Sequence, residues 1–159
     1  MGLLDRFKRP KRTCHDPIFG QLEFDNQSCW NGTVFFGPTA NEIAVAVVTG
    51  GPEPDDGHRT LFREICERYG ALQPDIARAL FDLWEPYRKE WPAESEPPPK
   101  SLPRSAEDML QATQLDYLAI KPGPSFQLAF GFRSDVGWDD AMLSVKIGNW
   151  QVSPERLDD

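Results

Sequence analysis

The chain has 159 residues, 40% hydrophobic and 11% aromatic, which suits one globular domain that buries about two thirds of its unfolded surface. Its formal charge is −8, and residues 1–13 carry Arg6, Lys8, Arg9, Lys11 and Arg12 against Asp5, so the remainder carries −12. A body this acidic repels phosphate backbones, which argues against general nucleic-acid binding. It favours a basic protein partner, although the same acidity also serves solubility.

Residues 1–13 read as a basic flexible segment with Leu3, Leu4 and Phe7 at helical spacing. A frayed terminus is preferred here over a membrane-surface anchor. Gly2 does not open a myristoylation signal, because Arg6 stands where Ser or Thr is required. The segment also lacks the apolar core and small-residue cleavage site of a secretory signal. A single α+β domain is expected over residues 14–153, followed by an acidic tail at 154–159.

Residues 18–24 follow Asp16-Pro17 and read as the first strand, with Ile18, Leu22 and Phe24 in phase. A turn at Asp25–Ser28 leads to a second strand at 29–36, with Trp30, Val34 and Phe36 on one face. Gly37-Pro38 turns the chain into a third strand at 42–48, where Ile43, Val45 and Val47 alternate with alanines. Short connections make these three an antiparallel meander.

A turn-rich loop at 49–57 feeds a helix near 58–69, carrying Leu61, Phe62, Ile65, Cys66 and Tyr69, with Gly70 as its stop signal. Gln73-Pro74-Asp75 starts a second helix whose face is Ile76, Leu80, Leu83, Trp84 and Tyr87, and the short connection predicts an antiparallel helix pair. Residues 92–104 form a Pro-rich loop. Ser105 with Asp108 predicts a capped short helix ending near Thr113.

Three C-terminal strands follow at 115–120, 126–132 and 143–147, with residues 150–152 as a possible fourth. Phe126, Leu128, Phe130 and Phe132 alternate with small or polar residues, and so do Leu143, Val145 and Ile147. Each such side chain contributes roughly 1.5–3 kcal/mol when fully buried. The expected fold is therefore one antiparallel sheet of about six strands, three from each end of the chain, with two or three helices on one face.

Chemistry-bearing patterns are sparse. Cys14, Cys29 and Cys66 form no close pair, and only His15 and His58 stand by to complete a metal site. This fits a reducing cytoplasm with no disulfide framework and no cofactor. No nucleophile elbow and no phosphate loop is present, so a non-enzymatic role is preferred. Asp135, Asp139 and Asp140 cluster in the loop of the last long hairpin. They keep a metal-dependent hydrolase as the alternative, although their spacing is not that of a calcium loop and solvation of a turn explains them too. Trp138 in the same loop and Trp91 beside the Pro-rich segment are candidate interface anchors, the competing explanation being packing over the sheet edge.

Asp16-Pro17-Ile18-Phe19-Gly20, then Trp30-x-Gly32-x-Val34, then a Phe-x-Leu-x-Phe strand before Trp138-Asp139-Asp140 resembles a family of small bacterial domains of unknown function. Members of that family open on D-P-x-F-G and close on a hairpin with a W-D-E-type turn, and some are suspected toxin-immunity proteins. The chain departs from the pattern at Ala141-Met142, where His-Gly is expected, and in its Pro-rich insertion. The resemblance implies a protein-binding domain, an immunity-type inhibitor of a basic toxin, with Trp138, Asp135, Asp139, Asp140 and Trp91 as its candidate contact residues.

Overall fold

The structure, a computed structural model, describes residues 11–90, 102–133 and 142–155. One sheet holds eight strands in chain order: β1 (Thr13–Asp16), β2 (Gly20–Phe24), β3 (Cys29–Phe36), β4 (Asn41–Val48), β5 (Thr113–Lys121), β6 (Ser125–Phe132), β7 (Met142–Gly148) and β8 (Gln151–Glu155). Every neighbouring pair is antiparallel except β4–β5, which is parallel. Two four-stranded meanders thus meet at a parallel seam, and the seam is crossed by α1 (Asp56–Glu90) and α2 (Ala106–Ala112). The expectation of an antiparallel sheet of about six strands is overturned.

The reason lies in the helices. An antiparallel pair would have returned the chain to the end of the sheet where β4 leaves, so that β5 ran against β4. Instead residues 56–90 form one continuous helix. At about 1.5 Å per residue it spans roughly 50 Å, about twice the length of an eight-residue strand. It delivers the chain to the opposite end, and β5 must then run parallel to β4. Gly70 and Pro74 do not break it. Pro74 forfeits only the bond to the carbonyl of Gly70, and both residues are exposed. Their combined helix penalty of about 4 kcal/mol is outweighed by a buried stripe that runs past them, through Ile65, Tyr69, Leu72, Ile76, Leu80 and Trp84.

The first strand also divides differently. The carboxylate of Asp16 accepts the N–H groups of Ile18 (2.8 Å) and Phe19 (3.0 Å), and Gly20 takes a positive φ of 70°. The chain therefore folds back at Asp16, and residues 13–16 become a separate strand paired with β2. Ahead of it, Arg12 lies over the rings of Phe24 and Trp30, and Lys11 pairs with Glu23 at 2.7 Å.

One face of the sheet packs on α1. The aromatic positions of β6 (Phe126, Phe130, Phe132) are buried there with Trp30, Phe36 and Trp84. A bulge between Leu115 and Tyr117 shifts the phase of β5 so that Leu118 and Ile120 rejoin the same face. On the other face small residues recur: Ala46 sits opposite Ala119, and Ala129 opposite Ser144. Lys121 of β5 comes within 3.9 Å of Glu155 of β8 although two strands lie between them. Neighbouring strands are about 4.8 Å apart, so this pair can close only because the sheet curls toward the helix-free face. Phe35, 62% exposed, stands at one end of that face. Among the described residues no helix is long and apolar enough to cross a membrane.

Candidate functional site

The two sequence motifs resolve into structure. Asp16 is only 4% exposed, and besides closing the β1–β2 turn it takes the Arg59 guanidinium at 2.9 Å. Arg59 also reaches Asp56 at 2.7 Å and the carbonyl of Pro54 at 2.9 Å. Burial alone would raise the Asp16 carboxyl, but the N–H groups of Phe19 and Ile18 and the Arg59 guanidinium outweigh it and hold the group below its ordinary value. Pro17 presets the turn, Phe19 is buried, and Gly20 supplies the left-handed conformation. The D-P-x-F-G motif is a latch that fastens the start of α1 to the first hairpin.

The W-x-G motif is a close approach between strands. Trp30 donates its indole N–H to the Pro52 carbonyl at 2.7 Å. A Cβ on Gly32 would lie 2.7 Å from the Gln21 carbonyl oxygen and from a methyl of Leu22. Gly32→Ala is therefore expected to cost about 1–3 kcal/mol by forcing β2 and β3 apart, read as a lower urea midpoint with an unchanged slope.

Because the latch fixes the start of α1, it also shapes an open cleft of about 690 Å³ at the carboxyl ends of the parallel pair. Val48 and Thr49 come from the end of β4, Asp55 from the residue before α1, Asp56 to His58, Thr60, Leu61 and Glu64 from α1, and Ile120 to Pro124 from the end of β5 and the turn into β6. Crevices beyond the carboxyl ends of parallel strands, where a helix begins, are common ligand positions in α/β sheets. Asp55 caps α1, accepting the His58 N–H at 3.1 Å, and its carboxylate also meets His58 Nδ1 at 2.6 Å. Those two contacts, the backbone one first, hold the Asp55 carboxyl below its ordinary value. The cleft therefore has an apolar floor of Val48, Leu61 and Ile120 under a rim carrying Asp55, Asp56 and Glu64. Lys121 on the opposite wall is drawn toward Glu155.

Trp138, Asp135, Asp139, Asp140 and Trp91 lie outside the described residues. Of the Cys14-His15-Asp16 run, Asp16 is buried, Cys14 packs partly buried against the core, and the exposed His15 points away. Cys14, Cys29 and Cys66 are free thiols, and burial, first among the causes, pushes the Cys14 and Cys66 thiols up. Among the described residues no group of three or more His, Cys, Asp or Glu is placed to hold a metal ion. The cleft was missed because the helix was expected to begin near His58. Asp55 at three residues before His58 is the capping spacing that carried the signal. Compared with protein-family models, curated protein sequences and solved structures, the chain matches none of them.

Proposed function

We propose that this chain is a non-enzymatic, cytoplasmic protein-binding domain that docks a basic partner at the cleft beside the start of α1. The observation that carries this reading is the pairing of an apolar floor (Val48, Leu61, Ile120) with a carboxylate rim (Asp55, Asp56, Glu64) in one open cleft. An apolar floor rewards desolvation by a lysine or arginine stem, and the rim pairs with its charged head. The −8 charge of the whole chain adds long-range attraction for a basic surface. The resemblance to suspected immunity proteins supplies the class of partner, a basic toxin. Free thiols at Cys14, Cys29 and Cys66 agree with a reducing compartment.

The test is capture from an extract of the source cells with the tagged chain, followed by titration of the purified captured protein. The expected partner has a pI above about 9, loses affinity as salt rises, and binds the Glu64→Lys variant at least about tenfold more weakly. Asp55 and Asp56 are left untouched in this variant because one caps α1 and the other holds Arg59. Capture of neutral or acidic proteins only, or an affinity indifferent to both salt and the substitution, would sink the reading.

A further inference from the structure

The chain enters the sheet beside the cleft. β1 begins at the end of the sheet where β4 and β5 finish, as the pairing of Thr13 with Glu23, Phe24 with Trp30 and Cys29 with Val48 requires. The Arg12 carbonyl accepts the Phe24 N–H at 2.9 Å, which fixes the backbone from this residue onward. Its guanidinium lies over the rings of Phe24 and Trp30, and Nη2 donates to the Gly51 carbonyl at 3.2 Å. Gly51 belongs to the loop between β4 and α1, and Thr49 and Asp55 of that loop both line the cleft. The same loop is tied down by the indole of Trp30 through the Pro52 carbonyl. Arg12 therefore grips the outside of the loop whose other side faces the cleft.

Residues 1–10 lie outside the described residues. In composition they match the cleft. Arg6, Lys8 and Arg9 stand against Asp5, a net charge of +2 in a chain of −8, and Leu3, Leu4 and Phe7 are the large apolar side chains. The cleft offers Val48, Leu61 and Ile120 beneath a rim of Asp55, Asp56 and Glu64. Although Asp55 meets His58 and Asp56 meets Arg59, their side chains stay 72% and 98% exposed, so both can take a further cation. Phe7 precedes Arg12 by five residues, and five residues of extended chain reach up to about 17 Å.

We propose that the occupant of this cleft in the isolated chain is its own residues 6–9, with Phe7 on the apolar floor and Arg6, Lys8 and Arg9 at the carboxylate rim. The inference rests on the reading of the cleft as a site for basic groups and adds its regulation. A short tether holds the segment at an effective concentration on the order of millimolar, so a basic partner enters only by displacing it.

The test is zero-length carbodiimide coupling of the full chain at low protein concentration, with the joined peptides located by mass spectrometry. Lys11 and Glu23, 2.7 Å apart, are the internal control. Lys8 is expected to couple to Asp55, Asp56 or Glu64 of the same chain in preference to Asp25 and Glu53, which are exposed but outside the cleft. Phe7→Ser changes no charge and is expected to lower the rim yield at least about fivefold, because the floor loses its apolar occupant, while the Lys11–Glu23 yield holds. Coupling to Asp25 or Glu53 as strong as to the rim, coupling only between two chains, or a rim yield unchanged by Phe7→Ser would overturn the proposal. The two readings of the cleft fail separately. Rim coupling by Lys8, beside a captured partner indifferent to Glu64→Lys, keeps the segment in the cleft and places the partner elsewhere. Absence of rim coupling, beside a partner weakened by Glu64→Lys, leaves the cleft to the partner and removes the segment from it.

Discussion

Asp16→Ala is expected to lower the unfolding free energy by about 2–4 kcal/mol, because it strips three partners at once from a buried carboxylate. The N–H groups of Ile18 and Phe19 lose their acceptor at the turn, and Arg59 loses the contact that fastens α1 to the first hairpin. The loss stays below that of a fully enclosed ion pair because the Arg59 side chain keeps a solvent-facing edge, whereas that of Asp16 is almost wholly covered. Asp16→Asn separates the terms. Its side-chain oxygen still accepts from both turn amides, so the turn survives, and Arg59 loses its buried carboxylate partner while keeping Asp56. The expected order of stability is wild type, then Asp16→Asn, then Asp16→Ala, measured by urea unfolding at pH 7.

The same carboxylate gives the stability a pH dependence of definite sign. The folded state holds the Asp16 carboxyl below its ordinary value, despite burial, through the Phe19 and Ile18 amides and Arg59. A carboxyl depressed in the folded state binds its proton more readily when unfolded, so acid favours unfolding. Its contribution is complete above the unfolded value of about 4 and fades as pH falls through the lower folded value. Urea midpoints taken between pH 7 and pH 3 should fall more steeply for the wild type than for Asp16→Asn, which has no proton to take up. Parallel curves would show that Asp16 is not bound as described.

Trp84→Ala carries the other large effect, about 3–5 kcal/mol. Trp84 is 0% exposed near the end of α1, where its ring packs against Phe132 at 5.2 Å. Its indole N–H donates to the Pro103 carbonyl at 3.1 Å, tying the helix to the segment that leads into α2. Truncation opens a cavity between α1 and β6 and leaves a buried carbonyl unpaired. For a chain of this size the loss corresponds to a Tm lower by about 6–20 °C. Trp84→Phe fills much of the space and should cost less, about 1–2 kcal/mol, mainly for the Pro103 carbonyl. A drop for Trp84→Ala no larger than that of Trp84→Phe would show that the helix end does not carry the packing assigned to it.

Most strand positions could be read from the chain. Phe126, Leu128, Phe130 and Phe132 alternate and are buried, as are Ile43, Val45 and Val47, because side chains in a strand point to alternate faces and a half-buried sheet imposes that period on its residues. The turns at Gly37-Pro38 and at 121–124 are equally plain, since Pro fixes φ and Gly permits the positive φ that a turn such as that at Gly123 needs, whatever surrounds them. Local rules failed where a distant partner held the deciding energy. Gly70 is a stop signal and Pro74 a start signal in isolation, and only the continuous buried stripe of α1 against the sheet overrides the break they mark. That one override reverses the direction of β5 and turns an antiparallel sheet into two meanders joined in parallel. Asp16 and Arg59 are 43 residues apart, so their pairing has no period or spacing to betray it. Alternation and turn chemistry are properties of neighbours along the chain. Helix continuity, strand direction and the cleft at the start of α1 belong to contacts that exist only once the sheet has closed over α1.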